Sequence, residues 1–97
     1  MRLLLFFFAC SSPAGPPYAL ARALVDRHCI GCHSEHNTIA AFPLAPKEIE
    51  LDTAEEMHRH AALIRKTVLE TRTMPLLNKT EMTEQERALL GAWAKSQ

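Results

Sequence analysis

The chain has 97 residues, of which 47% are hydrophobic and 23% charged, with three Gly, six Pro and three Cys. That is one small domain at most, and the composition excludes a disordered tail, a collagen-like repeat and a disulfide-dense scaffold. Eleven basic residues balance eleven acidic ones, so the charge carries no sign of a nucleic-acid surface.

In chain order, Met1-Arg2 precedes the apolar run Leu3-Leu4-Leu5-Phe6-Phe7-Phe8-Ala9. A positive charge, a short apolar run and a small residue before the cut form a secretory signal pattern, and the run is too short to cross a bilayer as a helix. Phe8-Ala9-Cys10-Ser11 reads as a bacterial lipoprotein cleavage box with Cys10 as the lipidated residue. The competing reading makes residues 1–9 the remnant of a longer membrane segment. Both place the chain from Cys10 onward in the periplasm or on the extracytoplasmic face of a bacterial membrane, in the first case lipid-anchored at Cys10. Residues 10–17, Cys-Ser-Ser-Pro-Ala-Gly-Pro-Pro, form a Pro/Gly/Ser linker that cannot hold a helix. Residues 18–97 form the expected domain.

From Tyr18 to Arg27 the residues Tyr18, Leu20, Ala21, Leu24 and Val25, followed by His28, make an apolar stripe at helical spacing. The stripe runs into Cys29-Ile30-Gly31-Cys32-His33, a Cys-x-x-Cys-His sequence. This is the c-type haem attachment pattern. Two thiols three positions apart on one helical turn reach the two vinyl groups along one porphyrin edge. The next residue, His33, is carried beneath the ring, where its imidazole can bind iron. Three other uses of these residues compete. A zinc site of Cys29, Cys32, His33 and His36 lacks a second Cys or His pair at ligand spacing. A thioredoxin-like thiol pair needs a βαβ context, and no strand pattern is present. A plain disulfide would close a very tight loop. Cys10 leaves an odd count, which fits lipidation better than pairing.

Residues 36–51 lack periodicity and contain Pro43 and Pro46, which predicts an extended loop with Phe42 and Leu44 folded against the haem. Thr53 and Glu56 form a capping box that opens a second helix. Met57, Ala61, Ile64 and Val68 fall on one face of it with Leu63 beside them, and it ends near Thr71. A third helix, residues 84–95, opens on a Thr83/Glu86 capping box and presents Leu89, Leu90 and Trp93 to the first helix. Ala21 is small enough for a close crossing there, with Trp93 beside Val25. No segment alternates with period two. The expected class is all-α, with three main helices and loops wrapped around one covalently bound haem.

Met74, followed by Pro75, is the expected second axial ligand: a thioether is a soft neutral donor, and Pro75 stiffens the loop and stops the preceding helix. Met82 is the rival, although an apolar residue just before the Thr83 cap already has a stapling role. Met57 lies on the core face. His36, His58 and His60 remain as distal alternatives, and His58 and His60, two positions apart, do not face one site. A buried porphyrin adds several hundred Å² of apolar face, worth many kcal/mol at roughly 25 cal/mol per Å². Without it, a largely unfolded chain is predicted, checked by circular dichroism of the apo-protein.

Cys29-x-x-Cys32-His33, Met74-Pro75 and an aromatic-bearing C-terminal helix resemble the single-haem class I cytochromes c. The chain is most similar to the C-terminal cytochrome c domain of bacterial membrane urate hydroxylases (urate oxidases). That likeness rests on Ala45-Pro46, Leu51-Asp52-Thr53, Thr73-Met74-Pro75-Leu76, Asn78-Lys79-Thr80, Met82-Thr83 and Glu86-Arg87-Ala88-Leu89-Leu90-Gly91-Ala92-Trp93. The resemblance implies an electron-transfer protein with one haem c, carrying electrons from urate oxidation to the respiratory chain. Cys29 and Cys32 would form the thioethers, with His33 as proximal and Met74 as distal iron ligand. Members of that group carry a multi-helix membrane portion ahead of the cytochrome, and the expectation here is either a split-gene partner of such a portion or a stand-alone carrier that shares its ancestry. No residue of this chain could oxidise a purine, so the chain is a carrier rather than an enzyme by itself. Leu77 departs from the group, which has Gly after Met-Pro-Leu. The alternatives are a haem-based sensor or peroxidase-like protein with a displaceable Met74, and a zinc-binding interaction module.

Overall fold

The computed structural model describes residues 15–97. The expected export segment at residues 1–9, Cys10 and most of the linker lie outside the described residues. No helix among the described residues is long and apolar enough to cross a membrane.

The described residues are all-α, with no strand among them. Helix α1 spans Tyr18–His28 and starts from the extended Pro17, whose carbonyl accepts from the Leu20 and Ala21 N–H groups. Gly15 lies against the C-terminal end of the chain: a Cβ added there, where φ is +80°, would come within 2.8 Å of Ser96 Oγ. Helix α2 is Ala54–Arg59 and helix α3 is Ala61–Arg65, the latter continuing as a π turn over Lys66–Glu70. Helix α4 is Glu84–Lys95. Short 3-10 turns at Pro46–Glu48 and Leu76–Asn78 interrupt the loops.

Both capping boxes form as the sequence predicts. Thr53 Oγ1 accepts from Glu56 N–H at 3.0 Å while the Glu56 carboxylate accepts from Thr53 N–H at 3.0 Å. Thr83 and Glu86 repeat the exchange at 3.1 and 2.9 Å. Each pair satisfies two N–H groups that a helix start leaves without partners.

The middle helix differs from expectation. It is interrupted at His60, where φ −100° and ψ 16° leave the helical region, and its last turn widens, with Thr71 N–H reaching the Lys66 carbonyl at 2.8 Å. Hydrophobic periodicity records which face is buried, not the register of the backbone ladder. The apolar stripe therefore survives the break: Met57, Ala61, Ile64 and Val68 are all buried. Helix α4 packs on α1, on α3 and on the π turn. Their shared core comprises Ala21, Leu24, Val25, Leu51, Met57, Ala61, Ile64, Val68, Met82, Leu90, Trp93 and Ala94. Tyr18 tilts over Trp93 with ring centroids 6.4 Å apart. Gly91 allows the closest approach to the π turn, since a Cβ there would lie 2.8 Å from Leu69 Cδ2 and 3.3 Å from Leu69 Cβ.

Candidate functional site

The end of α1 builds the first wall. Cys29 and Ile30 N–H both reach back to the Val25 carbonyl, and Cys32 and His33 N–H to the Cys29 carbonyl, at 3.2 and 2.9 Å. The Cys-x-x-Cys-His segment is therefore a hydrogen-bonded turn that follows directly on the end of α1. The Gly31 carbonyl accepts from Thr38 and Ile39 N–H, and the Ile39 side chain approaches so closely that a Cβ on Gly31 would sit 2.9 Å from its Cδ1. His33 is fixed by the loop opposite. Its Nδ1 lies 2.9 Å from the Ile49 carbonyl, and its own carbonyl accepts from Leu51 N–H at 2.8 Å. A backbone carbonyl can only accept, so Nδ1–H donates to it, and in the neutral ring Nε2 is then the nitrogen that presents a lone pair. Nε2 has no partner among the described residues.

Met74 forms the second wall. It comes after the π turn and Thr71-Arg72-Thr73, its N–H donating to the Thr67 carbonyl at 3.1 Å, and the Met74–Pro75 bond is cis. Cys29, His33 and Met74 line two adjoining cavities. The larger, of about 370 Å³ and mostly apolar, is bounded also by Cys32, Thr38, Ile39, Phe42, Pro46, Pro75 and Leu76. The smaller, of about 70 Å³, is bounded by Ile49, Leu51, His60, Leu63, Ile64, Thr67 and Val68. The larger one lies within the ordinary range for a cofactor pocket, roughly 300–1,000 Å³.

Polar groups ring this space. His28 is buried at the end of α1, with Nδ1 2.7 Å from Thr80 Oγ1 and Nε2 3.2 Å from Glu86 Oε1. A proton on Nε2 satisfies both contacts, donated to the carboxylate while Nδ1 accepts from the hydroxyl. The Glu86 carboxyl is held below its usual range by Thr83 N–H donation and then by His28. Burial pushes the Cys29 thiol up to about 12. That is opposite to the stabilised thiolate of a redox-active Cys pair. Both cysteines are free thiols, with no disulfide between them. No group of three or more His, Cys, Asp or Glu donors is close enough to hold a metal ion among the described residues, so Cys29, Cys32, His33 and His36 are not assembled as a zinc tetrad.

The other candidates separate clearly. Met57 and Met82 are buried in the core and line neither cavity. His36 and His58 are exposed. Phe42 lines the larger cavity as expected, but Leu44 does not, being 82% exposed. The next residue after Phe42 to line that cavity is Pro46. His60 lines the smaller cavity with His33 and Met74, a position that its helical spacing from His58 concealed because the helix breaks at His60 itself. Sequence reasoning also missed Arg87, which is buried on the core face of α4.

Comparison with protein-family models, with curated proteins and with solved structures returns no match for this chain.

Proposed function

We propose that the chain is an electron-transfer protein of the class I cytochrome c type, with one haem joined through Cys29 and Cys32 and its iron held by His33 and Met74. The observation that carries this reading is that the Cys-x-x-Cys-His turn and the sequence-distant Met74 line the same cavities, with His33 Nδ1 engaged and Nε2 left to donate. The donor set fits: two free thiols, a neutral imidazole and a thioether around a mostly apolar space. A haem held there would supply a one-electron iron couple, and a Met thioether as iron ligand would favour a higher potential than a second His.

The chain's own residues do the rest. The Ile49 carbonyl fixes the His33 ring orientation and raises its basicity as a ligand. Phe42 and Pro75 give the larger cavity its apolar inner wall, while the exposed Ile39, Leu76 and Lys79 at its rim leave an edge within reach of a redox partner. His28, Thr80 and Glu86 close the wall between α1 and α4 with a satisfied polar chain.

Attachment of this kind is made outside the cytoplasm, which accords with the export pattern of residues 1–9 and Cys10. The family resemblance extends the proposal to a membrane urate-oxidising subunit as donor and a respiratory-chain acceptor. Holo-protein reduced by dithionite gives a sharp α band, and the ferric form a weak far-red absorbance from Met-to-iron ligation. Met74→Ala abolishes that absorbance and lets carbon monoxide bind the ferrous protein rapidly. Persistence of the far-red absorbance in Met74→Ala removes Met74 from the ligand set. Rapid carbon monoxide binding to the unsubstituted protein favours instead a sensor with a displaceable methionine.

A further inference from the structure

Arg87 is 5% exposed, yet no carboxylate lies within ion-pair distance of it among the described residues. A buried cation without an ionic partner is costly unless its donors are matched by well-placed acceptors. Here they are neutral. Nη1 donates to the Val68 carbonyl at 2.9 Å and to the Met74 carbonyl at 2.7 Å, while Nη2 lies 3.5 Å from Asn78 Oδ1.

These contacts close a set that the chain leaves open. The middle helix ends in carbonyls with no partner of their own along the helix. Lys66 O takes Thr71 N–H, Thr67 O takes Met74 N–H, and Val68 O takes the Arg87 guanidinium. Met74 is thereby held at both of its backbone polar groups, by the π turn through N–H and by α4 through C=O. Asn78 extends the clamp along the loop: Oδ1 accepts from Met82 N–H at 3.0 Å and Nδ2 donates to the Met82 carbonyl at 3.3 Å. Met82 in turn is buried in the core beneath the Thr83 cap. The loop bearing Met74 is thus tied to α4 through one buried guanidinium.

We infer that Arg87 is a positioning residue for Met74: by gripping its carbonyl, Arg87 keeps the thioether in place and resists its exchange for outside ligands. The inference rests on the His33/Met74 haem reading and adds to it a residue that touches neither iron nor porphyrin. A planar fork suits the task, since one guanidinium reaches acceptors on three chain segments and lysine does not.

The test uses holo-protein matured with haem, in the unsubstituted, Arg87→Met and Arg87→Lys forms, with Arg59→Met as control for loss of an exposed cation. Imidazole is titrated into each ferric protein while the far-red Met-to-iron absorbance is monitored, and circular dichroism reports helix content. An external ligand competes with a bound one in proportion to the open fraction, so Arg87→Met should bind imidazole about tenfold more tightly or more. Its far-red absorbance should weaken at unchanged helix content. Arg87→Lys, which keeps the charge and loses the fork, should fall between, and it carries the test if Arg87→Met does not fold. Arg59→Met should match the unsubstituted protein. Far-red absorbance and imidazole affinity within twofold of the unsubstituted protein in Arg87→Lys, or in a folded Arg87→Met, would overturn the inference while leaving the ligand assignment standing. An unsubstituted holo-protein without far-red absorbance would remove the ligand assignment and the inference with it.

Discussion

Leu77 offers a clean test of backbone physics beside the site. Its φ of 53° and ψ of 19° place it in the left-handed region, directly before Asn78 at φ 49°. Asn tolerates that region and uses its side chain on Met82, but Leu has no such compensation. The Cβ of an L-residue there costs roughly 1–2 kcal/mol. Leu77 is 82% exposed, so removing its side chain forfeits only about 0.4 kcal/mol of burial, a fifth of the usual 1.5–3 for a fully buried leucine. Glycine gives back roughly 0.5–1 kcal/mol through the freer unfolded chain. These terms nearly cancel in Leu77→Gly, leaving stability within about 0.5 kcal/mol of the parent. Leu77→Asn keeps the lower strain without the glycine entropy, and should stabilise by about 0.5–1 kcal/mol. Leu77→Val, branched at Cβ, should destabilise by about 1 kcal/mol. Guanidinium unfolding of the holo-proteins monitored by circular dichroism, with equal slopes, gives the order Asn, then Gly and Leu together, then Val. Valine as stable as asparagine would refute the argument, because the left-handed strain would then not be what position 77 experiences.

Other elements make independent predictions. The Asp52 carboxylate accepts from Ser34 Oγ at 2.6 Å and from Glu35 N–H at 2.8 Å, and these hydrogen bonds hold its pKa below the ordinary 3.8. A depressed carboxyl stabilises above its unfolded value and loses that contribution as pH falls through the folded one. Asp52→Asn should therefore lower stability at neutral pH by about 1 kcal/mol, less than the roughly 1.5–3 of a buried charged acceptor because the group is exposed. The gap to the parent should close in chemical unfolding measured well below pH 3.8; a constant gap across pH would count against the assignment. Gly91→Val drives a branched side chain into Leu69, and thermal unfolding should show a loss of about 2 kcal/mol. An unchanged midpoint would mean that the α4–π turn contact is looser than described.

The sequence made some of this architecture legible and hid the rest for identifiable reasons. Cys29, Cys32 and His33 stand out because Cys-x-x-Cys-His is a contiguous pattern, and the structure brings all three to the larger cavity with Met74. The Thr53/Glu56 and Thr83/Glu86 caps could be read because each is a local hydrogen-bond exchange. Met82 and Met57 could be set aside because stapling and stripe position already assigned them to the core, where they are found. The interruption at His60 left no mark, since a kinked pair of helices and a straight one bury the same stripe. His60, which the sequence leaves among three distal alternatives with nothing to single it out, lines the smaller cavity. Arg87 was concealed in the same way: a charged residue on a helix face predicts solvent, and only three-dimensional placement shows Val68, Met74 and Asn78 converging on it. Leu44 misled in the opposite sense, being apolar in a loop yet left exposed.

Covalent attachment through Cys29 and Cys32 is the claim on which the functional account depends. Intact-mass and peptide mass spectrometry of protein purified from a host that matures c-type cytochromes tests it most directly. The account predicts red protein whose mass exceeds that of the polypeptide by one haem, with both sulfurs of the peptide containing Cys29 and Cys32 carrying the adduct. Colourless protein with two unmodified thiols in that peptide would contradict it.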